Sequence, residues 1–318
     1  MLNFVSHYVE ESLQLGERLA RFLPVGGILH FKGEMGAGKT HIIQGLLRAR
    51  GIAEADISSP TFTIAHYYQT RRERLVHYDL YRLEDLEDFG LMEDYLSEQT
   101  TVLVEWPEKL KMEIPALTEV IISKSAETER KIEINFRGYT MTEANLKALY
   151  EKYQPSEKIV LHMQKVAELS AQIAEKLLKR GEIVNLELLK QGALLHDLVK
   201  YIEWPNQESD PLIWQELRQK HFGQKHSVLM ANLLRKYHYP DLANLVGDHD
   251  SWDFGKWRTW EEKILRYADA HVEGDKIVSL EQRIVNAKPK YPGPHSQQFW
   301  QEFASHQKKL AAELGLSS

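Results

Sequence analysis

The sequence predicts two domains of different class: an α/β domain over residues 1–138, then an all-α helical bundle over 139–318. Three observations carry this expectation. The run Gly33-Glu34-Met35-Gly36-Ala37-Gly38-Lys39-Thr40 lies between a strand-like and a helix-like segment. Short β-branched or aromatic runs bounded by turns or charges recur as far as Phe136. Beyond Thr142 the strand signal all but disappears, and apolar residues repeat at helical spacing.

In order along the chain, residues 9–22 read as an amphipathic helix and 27–32 as a buried strand feeding the glycine-rich run. Residues 40–50 read as the helix leaving it. Strands follow over 61–67 and 74–80, and parts of 83–96 read as helix. Further strands over 101–105, 119–123 and 131–136 include neighbours spaced closely enough to pair as hairpins. Residues 138–142 form a short linker. Ser156 is placed to cap a helix from Glu157, along which His162, Val166, Leu169, Ile173 and Leu177 share one face. Leu189, Gly192, Ala193 and His196 share another, and His226 repeats with Leu229, Met230, Leu233 and Leu234. Asp269 follows Ile264, Leu265 and Ala268 on a later helix.

Composition sets outer limits. A length of 318 residues accommodates two domains, and 43% hydrophobic with 27% charged residues is ordinary for a soluble globular chain. The net charge of -6 carries no overall basic signature of direct nucleic-acid binding, although a local basic patch remains open. With 0 cysteines, disulfides and thiolate metal sites are excluded, so any metal must use His, Asp or Glu. The N-terminal residues lack a basic start and apolar core, and no apolar run approaches the ~20 residues that span a bilayer. The expectation is a cytoplasmic protein.

The glycine-rich run fits G-x-x-x-x-G-K-[ST], the phosphate-cradling loop of nucleoside triphosphatases. A strand, a glycine-rich turn and a helix N-terminus aim backbone N–H groups at an anion, and the helix dipole favours negative charge there. Lys39 would meet the β- and γ-phosphates and the Thr40 hydroxyl Mg²⁺. Further along come Ser58-Ser59-Pro60-Thr61-Phe62-Thr63, His77-Tyr78-Asp79-Leu80-Tyr81-Arg82 and Val102-Leu103-Val104-Glu105-Trp106-Pro107. The last two place an acid at the end of a strand, where open α/β sheets bind ligands and where a carboxylate can hold Mg²⁺ or orient water. On the same footing His30, His66 and His77 read as structural.

These motifs in this order, together with the opening helix Ser12-Leu13-Gln14-Leu15-Gly16-Glu17-Arg18-Leu19-Ala20, resemble the TsaE (YjeE) family of ATPases of bacterial tRNA threonylcarbamoyladenosine synthesis. The resemblance covers about residues 1–137. It implies a P-loop fold in which the loop residues from Gly33 to Thr40, with the adjoining His41, bind ATP. It implies Mg²⁺ on Thr40 and Glu105, catalytic roles for Lys39, Asp79 and Glu105, and a functional Trp106. Thr61 would lie in a switch-like segment near the γ-phosphate. Partners of the TsaB and TsaD type are implied, with tRNA engaged indirectly. ATP hydrolysis would support repeated turnover of the tRNA-modifying complex. A P-loop phosphotransferase stays open, although no Arg-rich lid is evident. A nucleotide-switched assembly factor with a non-enzymatic second half also stays open.

In the second domain, inward His and Asp side chains from several helices suggest a metal site, because buried polar groups need partners. The set His162, His196-Asp197 and Asp269 resembles the HD-domain superfamily of metal-dependent phosphohydrolases, over about residues 145–285. That resemblance implies these four as ligands, with His226 and His249 placed to hold a second metal. Mn²⁺, Mg²⁺ or Fe²⁺ suits such ligands, and bound water would be the nucleophile. Asp197 would be catalytic. Lys200 would contact phosphate as in the related His-Asp-x-Gly-Lys pattern, although Val199 stands where that pattern has Gly. The implied substrate is a nucleotide or related phosphoester. Six of the seven Trp residues lie in this half. Of these, Trp252, Trp257 and Trp260 flank the approach to Asp269 and could stack on a base, with ordinary burial the commoner role.

Overall fold

A computed structural model describes residues 1–58, 60, 63–82, 91–97, 99–110, 117–205, 207, 209–247, 249–250, 259–288 and 297–316. The chain divides into two compact units, Met1–Gly138 and Tyr139–Ser318.

The first unit is a mixed sheet with helices. Its described elements are β1 (Leu2–Ser6), α1 (Val9–Phe22), β2 (Ile28–Lys32), α2 (Lys39–Ala49), β3 (Ala65–Gln69), β4 (Arg74–Asp79), α3 (Leu91–Leu96), β5 (Thr100–Glu105), β6 (Leu117–Lys124) and β7 (Arg130–Arg137). The sheet order is β1-β7-β6-β2-β5-β4-β3. β2, β5, β6 and β4 form the parallel centre, while β7, β1 and β3 join antiparallel at the edges. The central strands read as apolar runs because they are covered on both faces: Leu29, Phe31, Val76, Val102, Leu103, Val104 and Val120 are all buried. α1 packs on α2 at close range. A Cβ on Gly16 would stand 2.0 Å from the Ile42 carbonyl oxygen.

Two elements differ from expectation here. β1 was not expected: its alternate residues are half-buried, so it carries little apolar signal, and it forms by pairing with β7. The strand expected over 61–67 is β3, shifted to Ala65–Gln69. The Pro60 carbonyl accepts from the N–H groups of both Thr63 and Ile64, closing a turn that delays the strand. Thr61 lies outside the described residues, as do residues 83–90 of the expected helix.

The second unit is helical: α4 (Glu143–Tyr153), α5 (Glu157–Lys179), α6 (Leu186–Leu195), α7 (Leu212–Lys220), α8 (His226–Lys236), α9 (Pro240–Gly247), α10 (Trp260–Ala270), α11 (Leu280–Ala287) and α12 (Gln297–Leu314). Side chains set several starts: Thr142, Ser156, Asn185 and Ser279 each accept an N–H from the first turn, and Thr259 with Glu262 forms a capping box. α6 packs against α5, α9 and α10. Between α10 and α11 sits a hairpin that the sequence pattern did not suggest, β8 (Val272–Glu273) with β9 (Lys276–Ile277). Two residues per strand are too few to show a period of two.

Candidate functional site

The phosphate loop joins β2 to α2. Gly38 occupies the position before α2 with φ of 103°, a left-handed conformation that suits glycine. Gly33 lies so close to β6 that a Cβ would stand 2.3 Å from the Ile122 carbonyl oxygen. Between them, buried Ala37 gives its carbonyl to Arg130 Nε of β7 (3.1 Å), which pins the loop from a neighbouring strand. Met35 is exposed at the loop tip, and His41 is half-buried in the first turn of α2.

Lys39 curls over its own loop. Its Nζ donates to the carbonyls of Gly33 (2.7 Å) and Glu34 (3.0 Å) and lies 3.9 Å from the centre of the Trp106 ring. Burial lowers its pKa, while Glu105 and Asp79 act to raise it. Thr40 Oγ1 donates to Glu105 Oε1 (3.0 Å), and the same oxygen lies 3.1 Å from His77 Nε2. Parallel pairing of β4 with β5 sets Asp79 directly beside Glu105 at the carboxyl ends of both strands. Asp79 Oδ1 accepts from the Tyr81 N–H (3.0 Å), and Tyr81 packs on Trp106 with ring centres 4.9 Å apart. Thus Lys39, Thr40, Asp79, Glu105 and Trp106 converge on the mouth of the loop. Thr40 and Glu105 offer two oxygens at one point, a hard donor pair that fits Mg²⁺.

His77, structural by its sequence context, touches Glu105, and no local pattern marks Arg130. His30 is held neutral, its pKa lowered to about 4 by burial, and bonds Tyr95. His66 meets Ser58.

The second site collects residues from five helices and their ends. His162 comes from α5, His196 and Asp197 from the end of α6, His226 from the start of α8, His249 from just beyond α9, and Asp269 from α10. His162 Nε2 lies 3.1 Å from Asp269 Oδ1, and His196 Nε2 lies 3.6 Å from the same atom. Asp197 Oδ1 lies 2.8 Å from His226 Nε2 and 3.5 Å from His249 Nε2. The two groups His162–His196–Asp269 and His196–Asp197–His249 each bring their ligand atoms within 4.8 Å of one another.

The imidazoles are oriented from behind. His196 Nδ1 donates to the Ala193 carbonyl (2.8 Å) and His249 Nδ1 to the Val246 carbonyl (2.7 Å). A carbonyl only accepts, so each Nδ1 carries a proton and each Nε2 is turned to the cluster; burial favours neutral His249, whose Nε2 is then a lone pair, whereas Asp197 and Asp269 raise His196 against its burial. His226 Nδ1 meets Glu203 Oε1 (2.5 Å), which also accepts the His226 backbone N–H (2.9 Å). The buried His196 Nε2 has no hydrogen-bond partner among the described residues. A buried ring nitrogen left without a partner, beside two carboxylates and other imidazoles, fits a metal ligand once its lone pair is free.

The charges respond to one another. Burial works against charge at Asp197 and Asp269, but Lys200, His196 and His226 around the first, and the His162 hydrogen bond with the nearby His196 at the second, override it and hold both carboxyls well below their usual range. Burial would lower His226, yet Asp197 and Glu203 push it up to about 9. Burial lowers His249. Lys200 Nζ stands 3.6 Å from Asp197 Oδ1 and 3.2 Å from His226 Nε2. Glu203 and Asp250 carry no motif that marks them in the sequence. With His226 they form a third group of convergent donors.

Above the cluster is a cleft of about 400 Å³. His162, Asp197, Asp250 and Asp269 form part of its lining, with Lys158, Lys200, Arg266 and Arg283 among the walls. Trp204 and Trp300 also line it. Trp260 is buried, with its indole N–H donated to Glu182 (3.1 Å), while Trp252 and Trp257 lie outside the described residues.

Comparison with known proteins separates the two halves in the same way. The family model "Threonylcarbamoyl adenosine biosynthesis protein TsaE" matches residues 6–132, and the HD domain model matches 159–280. The tRNA threonylcarbamoyladenosine biosynthesis protein TsaE of Synechocystis is 45% identical over 30% of this chain and 64% of its own length. Its namesake from Bacillus subtilis is 35% identical over 41% of this chain and 82% of its own length. The crystal structure of Bacillus subtilis YdiB is 26% identical, covering 43% of this chain and 84% of that one, with a TM-score of 0.36.

Proposed function

We propose, from the premise that the chain belongs to the TsaE family through its N-terminal domain and carries an HD domain behind it, a bifunctional hydrolase. The first domain would hydrolyse ATP in support of tRNA threonylcarbamoyladenosine synthesis, alongside proteins of the TsaB and TsaD type. The second would hydrolyse a phosphoester at a divalent-metal centre. The observation that carries both readings is convergence: residues far apart in the chain bring their functional atoms to one point in each domain.

In the first domain, Lys39 would exchange the carbonyls of Gly33 and Glu34 for phosphate oxygens. The backbone N–H groups at the start of α2 would hold the anionic chain. Bound Mg²⁺ would neutralise charge on the β- and γ-phosphates. Thr40 and Glu105 would hold that ion, and Asp79 would orient the attacking water as an acceptor. Trp106, beside Lys39, would shield the ammonium from bulk water.

In the second domain, His162, His196, Asp197 and Asp269 would hold one divalent ion, and Asp197, His226 and His249 a second. The ions would supply an acidified water and a Lewis acid for the phosphoryl group. Asp197, shared between the two groups, would accept a hydrogen bond from the nucleophilic water. Lys200 would donate to a phosphoryl oxygen, drawing its ammonium away from His226.

A hydrolysis panel with full-length protein tests the assignment. Lys39→Ala is expected to abolish ATP turnover and leave metal-dependent phosphoester hydrolysis intact, and Asp197→Ala to do the reverse. Full restoration of tRNA modification by Lys39→Ala in cells lacking their TsaE would overturn the first half. Purified protein that takes up no Mn²⁺ and cleaves no phosphoester would overturn the second.

A further inference from the structure

The turn between β6 and β7 reaches across to the phosphate loop through one side chain. Arg130, the first residue of β7, pairs with Lys124 at the end of β6. Its Nη1 donates to the carbonyls of Glu127 (3.2 Å), Glu129 (3.2 Å) and Ala126 (3.5 Å), all within that turn. Its Nε donates to the carbonyl of Ala37 (3.1 Å), 93 residues away in the chain. One guanidinium is thus braced by its own turn and aims one N–H at the loop. Arg130 is half-buried and Ala37 is buried.

That bond fixes a peptide plane which glycine would otherwise leave free. No peptide bond among the described residues is cis, so the Gly38 N–H points opposite to the Ala37 carbonyl. Gly38 has φ of 103°, and glycine takes either sign of φ with similar ease. The plane before α2 can therefore turn over at little steric cost, which would swing the N–H out of the loop. Arg130 favours one of the two orientations. In the sheet, β7 and β5 lie on opposite sides of β2. With its carbonyl drawn toward β7, the peptide turns its N–H to the β5 side, where Thr40 meets Glu105 and Lys39 meets Trp106. The Ala37 N–H is already used, on the Glu34 carbonyl (3.2 Å). The N–H groups of Gly38, Lys39 and Thr40 donate to no acceptor among the described residues. These three remain for an anion.

We propose that Arg130 is a positioning residue of the nucleotide site. It touches no phosphate itself. It holds the Ala37 carbonyl so that the Gly38 N–H stays turned to the β-phosphate of the nucleotide. Backbone N–H groups of this type of loop cradle the α- and β-phosphates, so the effect falls on ligands that carry a β-phosphate. This rests on reading the loop as an ATP site. It adds the β6–β7 turn, a segment outside every motif of the loop, to what sets the affinity of that site.

The test is calorimetric titration of full-length protein with ADP, ATP and AMP in the presence of Mg²⁺. The response of Lys39→Ala supplies the reference for binding outside the loop. Arg130→Ala is expected to weaken ADP and ATP about tenfold, the effect of losing one hydrogen bond to a charged group. AMP, which lacks a β-phosphate, is expected to show the same affinity, or the same absence of binding, in both proteins. Arg130→Lys keeps the charge but not the fork, and its ADP affinity is expected to fall between the two. Urea unfolding separates this from a general loosening of the first domain, which would lower the midpoint and weaken every nucleotide together. If Arg130→Ala does not fold, Arg130→Lys carries the same comparison. ADP affinity untouched by the substitution, or lost only in step with the urea midpoint, would overturn the proposal. A parent protein that binds no ADP would overturn the ATP site and the proposal with it. Arg130-dependent binding of ADP without release of phosphate from ATP would sink the hydrolase reading and leave the positioning role standing.

Discussion

Glu203 shows how one carboxylate can serve both a helix and a site. It accepts the first N–H of α8 and holds Nδ1 of His226, the residue at that same position. Second partners of this kind fix ring orientation, and losing one typically weakens metal binding 10–100-fold. On the proposed second ion site of Asp197, His226 and His249, Glu203→Ala is therefore expected to lower metal affinity by about 10–100-fold. Mn²⁺ titration of the full-length protein checks this, and an unchanged isotherm would refute it. The sequence could not point to Glu203. His162, the His196-Asp197 pair and Asp269 were legible because they form a spaced set on inward helical faces. A single Glu in a short 3-10 turn has no spacing signature, and its role exists only through a contact 23 residues away. His77 and Arg130 were illegible for the same reason: one meets Glu105 and the other the loop carbonyl of Ala37, across strands whose register no local pattern encodes.

At the scale of elements, two helix contacts have measurable consequences. Gly16 of α1 faces the backbone of α2 with no room for a methyl group, since its Cβ would meet the Ile42 carbonyl oxygen at 2.0 Å. Overpacking of this kind typically costs about 1–3 kcal/mol, and here the obstacle is backbone, which does not rotate away. Gly16→Ala is expected to lower the unfolding free energy of the first domain by an amount in or above that range, read from the shift of the urea midpoint. In the second domain, buried Glu261 of α10 accepts the Asn185 N–H (2.6 Å) just before α6. Burial pushes its carboxyl up to about 7, against an ordinary value of 4.5. The folded state thus holds the proton more tightly than the unfolded chain. That contribution is complete below pH 4.5 and lost as pH rises through 7. Glu261→Gln keeps the acceptor and removes the titration. It is expected to stabilise the domain by on the order of 1–3 kcal/mol at pH 8 and by much less at pH 5. Equal effects at both pH values would count against this account. Among the elements themselves, α5 was legible from the Ser156 cap and its apolar stripe. β1, β8 and β9 were not, because a half-exposed edge strand and two-residue strands take their identity from the partner they pair with.

At the scale of the whole molecule, each ligand is expected to act on the unit that holds its site. A ligand at 100 times its dissociation constant stabilises its domain by about 2.7 kcal/mol. ATP with Mg²⁺ should raise the unfolding temperature of Met1–Gly138, and Mn²⁺ that of Tyr139–Ser318. Lys39→Ala should lose the first shift and keep the second, and Asp197→Ala the reverse, both read by calorimetry. If either substitution erased both shifts, the two sites could not be treated as separate. The class of each half, the phosphate loop and the spaced His and Asp set are all legible in the sequence. All of these are local: a periodic face, a cap, or a run of residues whose backbone must turn. Only folding sets Asp79 beside Glu105, stands Glu203 behind His226, and brings His162 and His196 to the Asp269 carboxylate. Such meetings depend on strand register and helix packing. The energy of each contact is shared between residues far apart in the chain, so neither neighbourhood reveals it alone.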